Sequence, residues 1–339
     1  MESSHPPNKS NLRAKLLPVM LSYGVAGACL YWVFHDLDFG ELARSFAGVN
    51  WWWVPPAIVF DLLFYVVAGW EWQILLQPAG RLSLIQTTQA ILAGRFANDL
   101  LPFHVGYVIR VFLVSRWVQA NAASVAPSLV VEQLLDGLWL ALGVGVAAIF
   151  LPLPRGIAVG ARIWVGIIVL GLPVAAIILF RRPRQPAAGH EFAHSKWAAK
   201  FRIGINRIFE QLRAIALSWL LPVGLGLSLL KLAVQFLAFA CLFQAYRFNF
   251  PIMVQLAVFL VAYAGLSMPS TPASIGVFQL FCIAALRMFD VPKEQAAGFA
   301  LLAFAVLTLP LSLAGFIALA QSGLTLRKVR TEASEWKSR

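Results

Sequence analysis

The sequence has little charge for its length. Only 12% of its 339 residues are Asp, Glu, Lys or Arg, whereas 60% are hydrophobic. Soluble domains average about 25% charged and about 45–50% apolar residues. This shortage of charge excludes an ordinary soluble domain. It predicts an all-α integral membrane protein for which the bilayer is the main solvent.

Cysteine is also scarce. The three cysteines lie inside apolar runs and make neither a disulfide framework nor a metal-ligand spacing. The sequence also lacks a nucleophile–base pair and a phosphate-binding glycine loop. We therefore expect no metal, no cofactor and no enzyme activity. An intramembrane hydrolase or transferase stays open, because some side chains are of the right type: Asp99, His104, Glu132 and Asp136.

Basic residues are placed unevenly along the chain. The net charge is +12, and Lys and Arg concentrate at the N-terminus, around Arg81, in a linker at 181–213 and in a tail at 323–339. The connectors 35–50 and 152–156 contain few of them. Cytoplasmic loops of membrane proteins carry an excess of Lys and Arg. We predict a multi-pass protein of the bacterial inner membrane. The charge pattern predicts both termini, the linker and the tail on its cytoplasmic side, and it does not indicate nucleic-acid binding.

Long apolar runs predict about six full transmembrane spans, since about 20 residues cross a bilayer. They are Leu16–Phe34, Pro55–Leu76, Val125–Leu151, Ile163–Phe180, Leu217–Tyr246 and Gln295–Gln321. Two further segments, 84–118 and 252–289, are each interrupted by Pro and Gly, which leaves arms too short to cross alone. We predict two broken helical hairpins, which either re-enter on one side or span twice. The charge pattern fits both.

The two broken segments occupy matching positions in two parts of the chain. Residues 52–151 and 217–322 each consist of a full span, a broken hairpin and another full span. One extra span separates these two units within a single transmembrane domain, 1–339, so the second unit should be inverted relative to the first. Interrupted segments at matching positions are a sequence sign of a transporter-type site.

The first broken segment is unusually polar for its position. Ionisable groups at membrane depth cost roughly 2.5–3.5 kcal/mol each and persist where they face a bundle interior or a wet cavity. Guanidinium groups match phosphate oxygens, so the two arginines here suit an anionic head group. Alternatively, Arg95 pairs with Asp99 and Arg110 reaches the membrane interface. The candidate site residues are Arg95, Asn98, Asp99, Pro102, Gly106 and Arg110.

Three other groups of polar residues are candidates for the same site. Glu132 and Asp136 are four residues apart on one helix face, where they could tune or couple binding, or form structural ion pairs. Lys231 and Gln235 form a comparable pair, which we interpret as site lining, and the alternative is that Lys231 snorkels to the membrane interface. Near the second break, hydroxyls and a helix N-terminus could attract an anion or only cap the helix. Those candidates are Ser270, Thr271, Ser274, Gly276 and Gln279.

These motifs resemble those of the lysylphosphatidylglycerol synthase transmembrane-region family, also called flippase-like membrane proteins. The resemblance covers nearly the whole chain and is carried by 98–110, by Glu132 with Asp136, and by 268–279. Three positions depart from the family pattern: Tyr107 and Gln279 stand where Glu is usual, and Gln133 replaces an Arg. A subgroup associated with hopanoid gene clusters looks nearest.

The resemblance implies translocation of a lipid or lipid-linked head group between membrane leaflets. The partners would be membrane lipids with an anionic or lipid-linked head group. In bifunctional relatives a soluble aminoacyl-transferase domain follows the membrane part. This chain ends shortly after its last span, so we do not expect it to make aminoacyl-lipid. Two alternatives are an intramembrane enzyme acting on a lipid phosphate, and a non-transporting scaffold for lipid (hopanoid) biosynthetic enzymes.

Overall fold

The computed structural model describes residues 9–100, 105–150, 166, 171, 206, 208–267 and 272–321. Every regular element in this part of the chain is helical. The α-helices are α1 (Lys9–Phe34), α2 (Phe39–Ala47), α3 (Val54–Leu75), α4 (Leu84–Leu100), α5 (Val105–Trp117), α6 (Ala122–Phe150), α7 (Leu220–Ala245), α8 (Ile252–Ser267), α9 (Val277–Arg287) and α10 (Lys293–Gln321). Short 3₁₀ turns cover Trp51–Trp53 and Pro272–Ser274.

Four helical stretches among the described residues are long and apolar enough to cross a membrane. They are Trp51–Leu75, Ala122–Ala147, Leu220–Ala245 and Lys293–Gln321. Each coincides with a span predicted from the sequence. The predicted first span lies within the longer α1. The predicted span at Ile163–Phe180, most of the basic linker and the tail lie outside the described residues.

The segment after α1, predicted as a polar connector, contains the short helix α2. Asp38 caps α2 by accepting hydrogen bonds from the N–H groups of Gly40 (2.7 Å) and Glu41 (3.2 Å). The following Trp51–Trp53 turn is capped by the Asn50 side chain. Pro55 and Pro56 occupy the first turn of α3, where a missing N–H costs nothing.

Helices α3 and α7 form the central antiparallel pair of the bundle. Before α3, Asn50 donates its N–H to the carbonyl of Ala245 at the end of α7, at 2.8 Å. At the opposite end of the pair, a Cβ added to Gly224 would lie 3.0 Å from the side chain of Leu75. The absence of a side chain at Gly224 therefore lets the two helices approach closely.

The main apolar core lies around α7 and α8–α10. It contains fully buried phenylalanines from all four helices, and Phe243 stacks on Phe299 with ring centroids 5.0 Å apart. Aromatic pairs of this kind add about 0.5–1.5 kcal/mol beyond their buried area. The phenylalanines of this cluster are Phe239, Phe243, Phe259, Phe278 and Phe299.

The arms of the first broken segment, α4 and α5, pack side by side and antiparallel. A Cβ on Gly106 would lie 1.8 Å from the carbonyl oxygen of Gly94, so this crossing requires glycine. The Asn98 side chain accepts a hydrogen bond from the N–H of Gly106 at 2.6 Å. That bond satisfies a backbone donor at the start of α5, as a capping residue does. Residues 101–104 of the break, including Pro102, lie outside the described residues.

The second break has its own local structure. Ala273 and Ser274 have φ values of 52° and 56°, and Gly276 has φ of 85°, where glycine is favoured. The Ser274 hydroxyl donates to the carbonyl of Leu266 at 3.1 Å, and the Gln279 side chain accepts from the N–H of Gly276 at 2.8 Å. The Pro272–Ser274 turn packs against α4, which belongs to the first broken segment.

Candidate functional site

Lys231 lies at the centre of a buried ion cluster that joins three helices. Its ammonium group is 2.6 Å from Glu71 of α3 and 2.7 Å from Asp136 of α6. The hydroxyl of Ser228, one turn earlier on α7, donates to Glu71 and lies 3.2 Å from Asp136. Glu71 is fully buried and Lys231 is 2% exposed. Two carboxylates therefore share one ammonium group inside the bundle.

A second buried ion pair lies beside this cluster. Arg110 of α5 donates to Glu132 of α6 at 2.6 Å, and both side chains are buried. The guanidinium carbon lies 4.3 Å from the centroid of the Trp72 ring, a cation–π contact. Trp72 is held in place because its indole N–H donates to Ser128 of α6 at 3.1 Å.

Helix α6 connects the two ion pairs. Glu132 and Asp136 are one turn apart, as the sequence predicts, yet they pair with cations from different helices, α5 and α7. Helix α3 also contributes to both, because Glu71 contacts Lys231 while its neighbour Trp72 covers Arg110. We call this set, Glu71, Trp72, Arg110, Glu132, Asp136, Ser228 and Lys231, the paired network.

A second polar region lies elsewhere along α3, and the contacts between its charged groups are longer or missing. Gln235 donates to one oxygen of the buried Asp61 at 3.1 Å, while the other oxygen has no hydrogen-bond partner. Arg95 Nε lies 3.2 Å from Asp99 Oδ1, but these two buried atoms lack hydrogen-bond geometry. Asp99 accepts instead from Ser312 of α10 at 2.9 Å. We call Asp61, Arg95, Asp99, Gln235 and Ser312 the open network.

The two polar networks share helices α3 and α7. Asp61 lies within electrostatic range of Arg95, which links α3 to α4 in the open network. Gln235 lies one turn from Lys231 on α7, so this helix contributes to both networks. The predicted site residues Arg95, Asp99, Arg110 and Glu132 therefore lie inside the bundle.

Other predicted site residues have local structural contacts. Asn98 and Gly106 hold the α4–α5 crossing, and Ser274, Gly276 and Gln279 hold the second break together. The remaining three predicted residues, Pro102, Ser270 and Thr271, lie outside the described part of the chain.

A small pocket opens beside the paired network. Asp136 supplies the more exposed carboxylate of the cluster, with 28% of its side chain accessible, and Tyr263 of α8 lies on the pocket wall. The other lining residues are Phe64, Trp139, Ser228, Lys231 and Leu232. Among the described residues, no group of His, Cys, Asp and Glu could hold a metal ion.

Sequence reasoning missed two buried carboxylates, Asp61 and Glu71. Both lie in the predicted span Pro55–Leu76, which is otherwise apolar. An ionisable residue within a span is itself a functional sign, so the same rule that identified Lys231 could have identified them. Ser228 and Ser312, in contrast, carry no such signal, because serine is common in transmembrane helices.

Tyr107 and Gln133, two residues that differ from the family pattern, are neighbours in the structure. The Tyr107 hydroxyl donates to the side chain of Gln133 at 2.9 Å. The positions where the family pattern has a Glu and an Arg thus carry a neutral hydrogen bond here. The substitutions are matched to each other, and the buried Arg110–Glu132 pair beside them keeps its charges.

A known family matches most of this chain. The pattern of the lysylphosphatidylglycerol synthase TM region covers residues 19–315. The chain belongs to this family. No curated protein matches it. Membership indicates a function connected with membrane lipids, and with the apolar helices it indicates a multi-pass membrane protein. Every member of both polar networks falls within the matched residues.

Proposed function

We propose that the protein translocates a lipid or lipid-linked head group between the leaflets of the bacterial inner membrane. The observation that carries this proposal is the open network, a partly unsatisfied set of charged groups inside an apolar bundle. Such groups are costly in a membrane unless they serve a partner or a substrate. A polar head group that enters between the helices would satisfy them while its acyl chains stay in the bilayer.

An inverted repeat would provide the framework for translocation. The helices of the two units follow the same order, long, short, short and long, as α3–α6 and α7–α10. Packing pairs also match when the units are exchanged: α4 packs on α10 as α8 packs on α6, and α6 on α7 as α10 on α3.

The direction of the central pair supports inversion over simple duplication. Helices α3 and α7 occupy equivalent places in the two units, and they run antiparallel. An axis in the membrane plane relates equivalent helices in this way, whereas an axis along the membrane normal would make them parallel. Both termini in the cytoplasm would then follow from the charge pattern.

The two broken hairpins would enter from opposite faces and meet near the middle of the bilayer. The contact between the Pro272–Ser274 turn and α4 supports this arrangement, because it joins the second break to the first hairpin. Irregular backbone at membrane depth is tolerated where protein or a wet cavity covers it.

Arg95 is the better anchor for an anionic head group. Its guanidinium makes a single, poorly aligned contact with Asp99, and its side chain is 22% exposed. Arg110 is held by Glu132 and covered by Trp72. A phosphate oxygen could therefore replace the Asp99 contact of Arg95 without breaking a strong pair. Glu132 and Asp136 would tune or couple this binding.

A leaflet assay tests the proposal. The full-length protein is reconstituted into vesicles of bacterial polar lipids that contain a trace of fluorescent phosphatidylglycerol, and a membrane-impermeant quencher then reports the outer leaflet. We expect the protein to make the inner-leaflet pool accessible, and Arg95→Ala to slow this exchange. Arg44→Ala, which changes an exposed arginine of α2, is the matched control.

The same vesicles separate the alternatives. A new lipid species in mass spectrometry, without exchange, would support an intramembrane enzyme acting on a lipid phosphate. Neither exchange nor a new lipid would support a scaffold for lipid biosynthetic enzymes. The hopanoid association stays a prediction, which a comparison of lipids co-purified with the protein would test.

A further inference from the structure

The charges around Lys231 do not balance. Glu71 and Asp136 contribute two carboxylates, and both contact the single ammonium group of Lys231. When all three groups are ionised, the cluster holds one excess negative charge. Glu71 is fully buried, and an uncompensated buried charge is strongly unfavourable.

Within the described part of the chain, the neighbouring helices do not supply the missing positive charge. Arg95 of α4 lies against Asp99 of the same helix. Arg110 of α5 and Glu132 of α6 form a pair that neutralises itself. Helix α8 contributes Tyr263, whose phenol is neutral near physiological pH. Tyr107 of α5 is a phenol as well. The excess charge therefore belongs to Glu71 and Asp136.

Ser228 connects these two carboxylates. Its oxygen contacts Glu71 Oε1 by a short hydrogen bond and lies 3.2 Å from Asp136 Oδ1. A serine hydroxyl has one proton to donate and can accept another. It can thus donate to Glu71 when that group is ionised, or accept from Glu71 and donate to Asp136 when Glu71 carries a proton.

Asp136 gives this relay an entrance. Its side chain is 28% exposed and lines the pocket, whereas Glu71 lies behind it at 0%. A proton that arrives from the pocket would bind Asp136, Ser228 would accept it, and the original Ser228 proton would pass to Glu71. One proton is taken up, no covalent bond to carbon changes, and the net charge of the cluster rises from −1 to 0.

We propose that Glu71, Ser228 and Asp136 form a proton-binding relay, with Lys231 as its fixed counter-ion, that couples proton movement to head-group translocation. The coupling part rests on the proposed function, while the proton site itself does not. A proton fits here better than a metal ion, because the Lys231 ammonium already fills the space between the carboxylates. Hard metal cations need several oxygen ligands, for which this cluster has no room.

Infrared difference spectroscopy tests the proton site without any transport. Spectra of the purified full-length protein in nanodiscs are compared between acidic and alkaline buffer. We expect a carbonyl band from a buried protonated carboxyl that is lost in Glu71→Gln. Asp61→Asn identifies the band of a second buried carboxyl, and Glu41→Gln is an exposed control. Identical difference spectra for the wild type and Glu71→Gln would overturn the proposal.

A pH gradient across reconstituted vesicles tests the coupling. For one proton per lipid, a gradient of about one pH unit should shift the leaflet distribution of fluorescent phosphatidylglycerol by up to about tenfold. Dissipating the gradient with a protonophore should abolish the shift. Glu71→Gln and, as a second variant, Asp136→Asn should lose the response to the gradient, and thermal unfolding checks that both are folded.

Failure of proton coupling can be distinguished from failure of the proposed translocation. Exchange that is equal with and without the gradient would refute coupling while the proposed function stands. Absence of exchange under either condition would refute the proposed function, and the infrared titration would still decide whether the cluster binds a proton.

Discussion

The paired and open networks differ in how closely their opposite charges meet. In the paired network, Arg110 and Lys231 contact carboxylates at 2.6 to 2.8 Å, and both side chains are buried. In the open network, Asp61 keeps an unpaired oxygen, and Arg95 and Asp99 meet without hydrogen-bond geometry. Under the two proposals above, the paired network holds the helices together and binds the proton, and the open network receives the head group.

The largest effect is expected when Lys231 is removed from the paired network. Lys231→Met leaves two buried carboxylates without a cation, so we expect a loss of about 3–5 kcal/mol in the free energy of unfolding. Reversible unfolding of the purified protein in mixed micelles measures this loss. Arg287→Met, at an exposed position of α9, should change stability little.

The Arg110–Glu132 pair allows a sharper test by a double-mutant cycle. Arg110→Met alone should cost about 3–5 kcal/mol, because Glu132 stays buried without a partner. Adding Glu132→Met should restore most of this stability, since apolar replacement of both partners is often neutral. If the double variant is no more stable than Arg110→Met, the pair is not the reason for the loss. Unchanged lipid exchange in Arg110→Ala would exclude Arg110 from the site.

An intermediate effect is expected at the crossing of α4 and α5. Gly106→Ala places a methyl group against the Gly94 carbonyl, which should separate the arms and cost about 1–3 kcal/mol. Gly226→Ala has open space around it in α7 and should gain up to about 1 kcal/mol from helix propensity. Thermal unfolding of both variants gives the comparison, and equal behaviour would contradict the close packing.

The smallest effect on stability is expected in the open network. Arg95→Ala should lower the free energy of unfolding less than Lys231→Met or Arg110→Met does, because Asp99 keeps its hydrogen bond from Ser312 when the guanidinium is removed. The same variant should slow lipid exchange by about tenfold or more, since a hydrogen bond to a charged group contributes about 1.5–3 kcal/mol. A large stability loss with unchanged exchange would reverse the assignment of the two networks.

The sequence predicts where the helices begin and end better than it predicts which side chains form ion pairs. The broken segments predicted at 84–118 and 252–289 match α4–α5 and α8–α9 to within two residues at their outer ends, because Pro and Gly interrupt each apolar run locally. The partner of Asp136 could not be predicted in the same way. Glu132 and Asp136 share a helix face, yet which cation each one meets depends on how α6 is rotated between α5 and α7.

Glu71 illustrates a different limit. The span around it was recognised from average hydropathy, and one carboxylate changes such an average little. Its partner could not be predicted, because Lys231 is distant in sequence and reaches Glu71 only through the packing of α3 against α7. The family resemblance was confirmed, and the pairing of Tyr107 with Gln133 shows that its departures are coupled in space.

The position of α6 between two cations has a mechanical consequence. Glu132 contacts Arg110 and Asp136 contacts Lys231 from one face of α6, so rotation of the helix about its axis would strain both contacts. A conformational change that moves α6 must therefore break the Arg110–Glu132 and Lys231–Asp136 ion pairs together. A partial movement would leave one buried charge without its partner, which costs free energy. Two discrete positions of α6 would therefore be favoured over intermediate ones.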